Sequence, residues 1–145
     1  MPISGNRKID LKNESQAFAC ASAAYMYAVN YARQRVQGRH LLNMMDKSAP
    51  SVPIIQHPDV RRMLLTMKAY VEGMRSLLYY VGMCEDRIHV AAGDEEKAKY
   101  QGIIDLLIPI AKGYVSDRAF DVCNLGARNQ IPKYSNAKAF RLLPN

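Results

Sequence analysis

The amino-acid sequence predicts an all-α protein: an antiparallel up-down bundle of three long helices, with a fourth incomplete. Three observations predict it. Apolar residues recur at alternating four- and three-residue steps through three separate stretches. Polar linkers containing Ser, Pro or Gly separate those stretches. No stretch shows the apolar–polar alternation of a half-buried strand.

The first stretch places Phe18, Ser22, Tyr25, Val29, Ala32 and Val36 on one helix face, and Gly38 is the expected stop. The second opens at His57-Pro58-Asp59. Proline suits a first helical turn because its missing N–H has no helix partner to lose, and Asp59 places negative charge at the positive end of the helix dipole. Its stripe runs Val60, Leu64, Met67, Val71, Met74, Leu78, Val81. At ~3.6 residues per turn this spans about six turns. The third follows Ala92-Gly93-Asp94, with Asp94 as the expected N-cap. It carries two stripes: Ile103, Leu107, Ile110, Tyr114, and Ile104, Ile108, Ala111, Val115, Ala119, Val122. Two apolar faces imply a helix covered on most sides. Pro109 lies within this pattern and is expected to kink or break the helix, because its ring removes one hydrogen bond and crowds the preceding turn.

Residues 39–53 carry Ser48, Pro50, Ser51 and Pro53 and read as an exposed loop, and residues 86–96 as a polar turn around Gly93. Residues 1–13 and those from Ala127 onward lack periodicity. The chain therefore reads as a single helical domain over 1–145, with about 1–17 and 127–145 as irregular or unmatched ends. A bundle whose third helix is apolar nearly all round needs further cover, so a homo-oligomer is expected.

A length of 145 residues suits one domain, and a hydrophobic share of 49% suits a real core. No apolar run approaches the ~20 residues of a membrane span. The first eight residues lack the apolar stretch of a secretory signal, so the expectation is a cytoplasmic protein, or a mitochondrial one in a eukaryote. Cys20, Cys84 and Cys123 are far apart with no CxxC pair, and read as buried structural thiols. His40, His57 and His89 read as lying in separate loops without metal-ligand spacing, so no metal site is expected. The net charge of +7 suits an anionic partner. Among its carriers, Arg33, Arg35, Arg39, Arg61, Arg62, Lys68, Arg75 and Lys112 are scattered over three helical segments, which argues against nucleic acid.

Particular segments carry a resemblance. Tyr31-Ala32-Arg33-Gln34-Arg35-Val36-Gln37-Gly38-Arg39 resembles the acyl-CoA dehydrogenase family, whose first C-terminal-domain helix ends in Tyr-Ala-x-x-Arg, then a short stretch and Gly. Tyr31, Ala32, Arg35 and Gly38 match, while Gln37 stands where an aromatic usually precedes the glycine. The segment from Ile54 to Gly73, with His57-Pro58-Asp59-Val60-Arg61-Arg62-Met63-Leu64 at its centre, resembles the subgroup that includes methylmercaptopropionyl-CoA dehydrogenases. Leu107-Ile108-Pro109-Ile110-Ala111-Lys112-Gly113-Tyr114 and Ser116-Asp117 are similar to the family's Leu-x-Pro-x-x-Lys-x-Tyr-x-Ser-Asp segment. The likeness covers about residues 21–126.

The resemblance implies the C-terminal helical domain of a flavin-dependent enzyme that oxidises the alpha–beta bond of acyl-CoA thioesters in fatty acid metabolism. It implies FAD in the complete enzyme, and an Arg35 that reaches the pyrophosphate of a flavin held mainly by a neighbouring subunit. Guanidinium suits that task because it offers planar paired donors to phosphate oxygens. Two departures set limits. The family's Gln-x-x-Gly-Gly-x-Gly flavin loop is replaced by Leu125-Gly126-Ala127-Arg128-Asn129-Gln130-Ile131-Pro132. The tail has no Glu after Glu96, and Glu14 lies in a segment outside the family pattern, so no catalytic glutamate is assigned. The expectation is a truncated fragment without its flavin domains, inactive alone and retaining no cofactor, with acyl-CoA a substrate only of the complete enzyme.

Read on their own, Arg33, Arg39, His40, Arg61 and Arg62 are surface charge, and His57 is a helix-start residue rather than a base. The methionines of the second stripe are core filling, and Tyr70, Tyr79, Tyr80 and Tyr114 are core or interface aromatics. The alternative function is a non-catalytic helical self-association or scaffold module.

Overall fold

The computed structural model describes residues 7–130, with side chains placed over residues 12–128. The order is α1 (Arg7–Gln34), β1 (Val36–Arg39), a 3-10 turn (Leu41–Asn43), β2 (Ser51–Pro53), a second 3-10 turn (Ile54–Gln56), α2 (Pro58–Val90) and α3 (Asp94–Gln130). The three long helices are the expected all-α bundle. The residues beyond 130, expected to hold the incomplete fourth helix, lie outside the described residues.

The α2 stripe is realised as read. Leu64, Met67, Val71, Met74, Leu78 and Val81 are buried, and Met63 and Cys84 join them. Opposite them α3 buries Ile104, Ala111, Val115, Ala119 and Val122, and α1 buries Ala21, Ala28 and Ala32. The alanines let α1 lie close to its neighbours, while Phe18, Tyr25 and Val29 pack along the edges of the same core. Of the two α3 stripes only the second is core. On the first, Ile110 and Tyr114 stay open to solvent, so one chain does not cover α3 on most sides.

Other departures have local causes. Helix α1 begins at Arg7, within a segment that shows no periodicity, and ends at Gln34 rather than running to Gly38. The Arg35 N–H still donates to Tyr31 O at 2.8 Å, but its own carbonyl accepts from Ile54 N–H at 2.8 Å, which turns the chain out of the helix. Val36, expected on the helix face, is exposed on β1. Residues 36–53, read as helix end and loop, contain a two-stranded antiparallel ribbon that pairs Val36 with Pro53 and Arg39 with Ser51. Asp94 falls inside the first turn of α3 beside Glu95 and Glu96, rather than capping it. Pro109 does not break α3, which runs through it as one helix. The proline faces solvent, where water can replace the hydrogen bond that its ring removes.

The ribbon is irregular between Val36 and Arg39, where β1 spends one residue more than β2. Gly38 sits there at φ 75°, a left-handed conformation costly for other residues. A β-carbon on Gly38 would also stand 3.4 Å from the His57 ring. Gly38→Ala is therefore expected to cost about 1–2 kcal/mol, the ordinary penalty of a left-handed non-glycine residue. The loss should show as faster amide exchange in the ribbon, with α2 and α3 unaffected. Unchanged exchange across residues 36–53 would contradict it.

Candidate functional site

The ribbon gathers most of the sequence-predicted basic residues near the end of α1, and the hydrogen bonds sort them. Arg39 is used internally: Nε donates to Ala49 O at 3.2 Å and Nη2 to Lys47 O at 2.8 Å, which closes the loop between the strands. His40 accepts the Leu42 N–H at 3.3 Å and caps the first 3-10 turn. His57 Nε2 lies 2.7 Å from Gln37 O, so this ring braces β1 against the start of α2. Arg62 reaches back to Asp59 at 2.7 Å in an exposed pair one turn apart. Arg61 lies with Pro58, Leu65, Thr66 and Ala69 along a shallow groove on the outer face of α2.

Arg35 is different. Its backbone is held on both sides, by Tyr31 O and Ile54 N. Its side chain is exposed, and among the described residues no hydrogen bond or ion pair engages the guanidinium. Arg33 lies two residues away in the last turn of α1. A fixed backbone carrying an uncommitted guanidinium is an arrangement suited to an external anion.

Sequence reasoning missed two features. Arg118 is bound to Tyr70: Nη1 lies 3.3 Å from the hydroxyl, and the guanidinium stands 5.0 Å from the ring centroid. The Tyr70 hydroxyl is the main reason that the Arg118 guanidinium is held above its ordinary range, and Asp121, 3.0 Å away, pushes the same way. The group thus ties α2 to α3. The second feature is Glu14, 4% exposed and with Oε2 unpartnered among the described residues. Phe18, one turn on, carries the Arg75 guanidinium 5.4 Å from its ring centroid, and Arg75 Nε is also buried without a partner among the described residues. A buried unpartnered polar atom costs on the order of 1–3 kcal/mol. The signal was available, because Glu14 stands four residues before Phe18 and extends the α1 stripe upstream.

The thiols need correction. Cys84 is buried, as expected, but Cys20 and Cys123 are exposed, because they flank the buried faces of α1 and α3 rather than fill them. Tyr79 and Tyr80 are exposed as well, so they are surface aromatics in the single chain. Among the described residues no three His, Cys, Asp or Glu side chains converge as a metal site, and no helix is long and apolar enough to cross a membrane.

Known proteins match this chain over most of its length. The broad-specificity linear acyl-CoA dehydrogenase FadE5 of Mycobacterium tuberculosis is 43% identical over 108 residues, 73% of this chain and 18% of that protein. The 3-methylmercaptopropionyl-CoA dehydrogenase of Ruegeria pomeroyi is 43% identical over 114 residues, 78% of this chain and 18% of that protein. A butyryl-CoA dehydrogenase of Syntrophomonas wolfei is 38% identical over 130 residues, 86% of this chain and 21% of that protein. No family model matches the chain. The fold and these matches together show a helical domain similar to a stretch of acyl-CoA dehydrogenases. The chain is homologous to part of the acyl-CoA dehydrogenases, and its helical fold is consistent with their C-terminal helical domain. It spans about a fifth of the length of the curated relatives it matches.

Acyl-CoA dehydrogenases are FAD-dependent in general. Arg35 is an exposed guanidinium, a group whose donors suit phosphate oxygens. Gly126 is buried, and a β-carbon there would meet Met67 Cε at 3.4 Å and Ala24 Cβ at 3.6 Å, so its backbone faces the bundle interior rather than a ligand.

Proposed function

We propose that this chain supplies the helical wall and self-association surface of an acyl-CoA dehydrogenase, with Arg35 directed at the cofactor's pyrophosphate, and that alone it neither retains FAD nor turns over acyl-CoA. The observation that carries this reading is the 43% identity over 114 residues to an enzyme of that class. In such an enzyme the flavin supplies the redox chemistry and the protein positions it. The part argued for this chain is positional: Arg35 binds an anion, and the open stripe of Leu106, Ile110 and Tyr114 meets a second copy. Apolar exposure of this kind on a long helix favours association.

The test uses the purified full-length chain. It should be colourless and elute as a stable oligomer in light scattering. Titration with inorganic pyrophosphate should shift amide resonances at the α1–β1 junction, and Arg35→Ala should abolish those shifts. A stoichiometric flavin band would overturn the statement on retention, and a sharp monomer peak the statement on association. Unchanged junction resonances would remove Arg35 from the reading and leave the homology standing.

A further inference from the structure

The α1–α3 seam holds a pair of thiols that the dehydrogenase reading does not use. Helices α1 and α3 lie in close contact, and in an up-down-up order the first and third helices run parallel. They come close at Ala24 and Gly126, where a β-carbon on the glycine would stand 3.6 Å from Ala24 Cβ. At these two positions, one turn from the cysteines, the seam is as narrow as the ~3.5–4.5 Å that bridged cysteines require between β-carbons. Cys20 lies four residues before Ala24 and Cys123 three before Gly126, so in parallel helices both fall one turn back on the same seam. Cys123 lines a surface groove there with Ala24, Tyr27, Gly126 and Ala127. Both thiols are exposed, while Cys84 is buried elsewhere on α2.

We propose that Cys20 and Cys123 are a redox pair that a peroxide oxidises to an α1–α3 disulfide. One thiolate attacks a peroxide oxygen, breaking the O–O bond, to give a sulfenic acid and, for hydrogen peroxide, water. The second thiolate attacks that sulfur and forms the S–S bond, and the sulfenic oxygen leaves as a second water. Both thiols are oxidised and one peroxide is reduced. Although Cys123 is exposed as a residue, partial desolvation of its sulfur at the seam pushes the thiol above its ordinary range, and the neighbouring Cys20 pushes it the same way. Less thiolate is therefore present at neutral pH, and bridging should accelerate as pH rises toward the Cys123 pKa.

The full-length chain is treated with hydrogen peroxide under native conditions, denatured, and its remaining thiols alkylated and counted. The expected result is a fall from three alkylated cysteines to one, Cys84, with an intact mass lighter by two hydrogens and a linked peptide joining Cys20 to Cys123. The bridged chain should migrate as a monomer on a non-reducing denaturing gel. Cys20→Ser and Cys123→Ser, both at exposed positions, should retain their helix content and give no linked peptide. Three thiols still alkylated, separate sulfinic acids on unlinked cysteines, or a bridge between two chains would each overturn the proposal.

Discussion

Met67→Ala is expected to remove about 2–5 kcal/mol of folding stability, the range found for large-to-small changes in a packed core. Met67 is fully buried where all three helices meet. Its Cε lies 3.4 Å from the position a β-carbon on Gly126 would take, and Ala24 of α1 stands 3.6 Å from that same position. Truncation removes the thioether but cannot draw α1 and α3 inward, because they are already near van der Waals contact beside it. The cavity therefore persists, and the loss falls toward the upper part of the range. For a domain with about 5–15 kcal/mol in total, this is a large fraction. Urea unfolding followed by far-ultraviolet circular dichroism, at fixed protein concentration, measures it. Met83→Ala, on the same helix but 43% exposed, is the control and should stay within about 0.5 kcal/mol of the parent. Equal losses in the two variants would refute this placement of the core.

Why the α2 stripe was legible while other features were not follows from where each signal resides. Val60 to Val81 hold one unbroken three-four pattern, and a helix with a single apolar stripe has one way to bury it. On α3 two stripes overlap, and periodicity ranks neither. The choice depends on what the partner helices cover, and α1 and α2 together cover the face of Val115 and Val122. The β ribbon left no trace because strands of three and four residues are too short to alternate visibly, and one carries a bulge at Gly38. The helix end at Gln34 is set by a hydrogen bond from Ile54, almost twenty residues away, which no local pattern contains. Cysteine exposure failed for a related reason. Cys20 and Cys123 sit at the margins of the α1 and α3 stripes, and a shift of one position around a helix separates core from surface.

The site divides along the same line. Residue type alone makes Arg35 one cation among several, and the motif resemblance singled it out. The structure narrows the choice: Arg39, His40, His57 and Arg62 are each engaged by a neighbour, while Arg35, like Arg33 and Arg61, has an exposed side chain that is unengaged among the described residues. Surface charge became separable into structural and available groups only when the ribbon brought residues 35–57 together. That is non-local information.

Val115→Asp and Ile110→Asp should separate the two faces of α3 with opposite results. Val115 is fully buried between α1 and α2, so an aspartate there would be an uncompensated charge in an apolar core. Stranded buried charges cost about 3–5 kcal/mol, enough to leave a domain of ordinary stability largely unfolded. The circular dichroism signal of helix should collapse, and thermal melting should lose its cooperative step. Acidification should partly rescue this variant, because the protonated carboxyl is cheaper to bury: its folded-state pKa is raised above the unfolded value, so the penalty is smallest at low pH and grows as pH rises. Ile110 belongs to the other stripe and is 49% exposed, so aspartate there keeps its hydration and helix content should stay at the parent level. The change for Ile110→Asp should instead appear in light scattering, as loss of the oligomer that the stripe of Leu106, Ile110 and Tyr114 is proposed to build. Loss of helix in Ile110→Asp, or a folded Val115→Asp at neutral pH, would mean that the faces of α3 had been assigned in reverse.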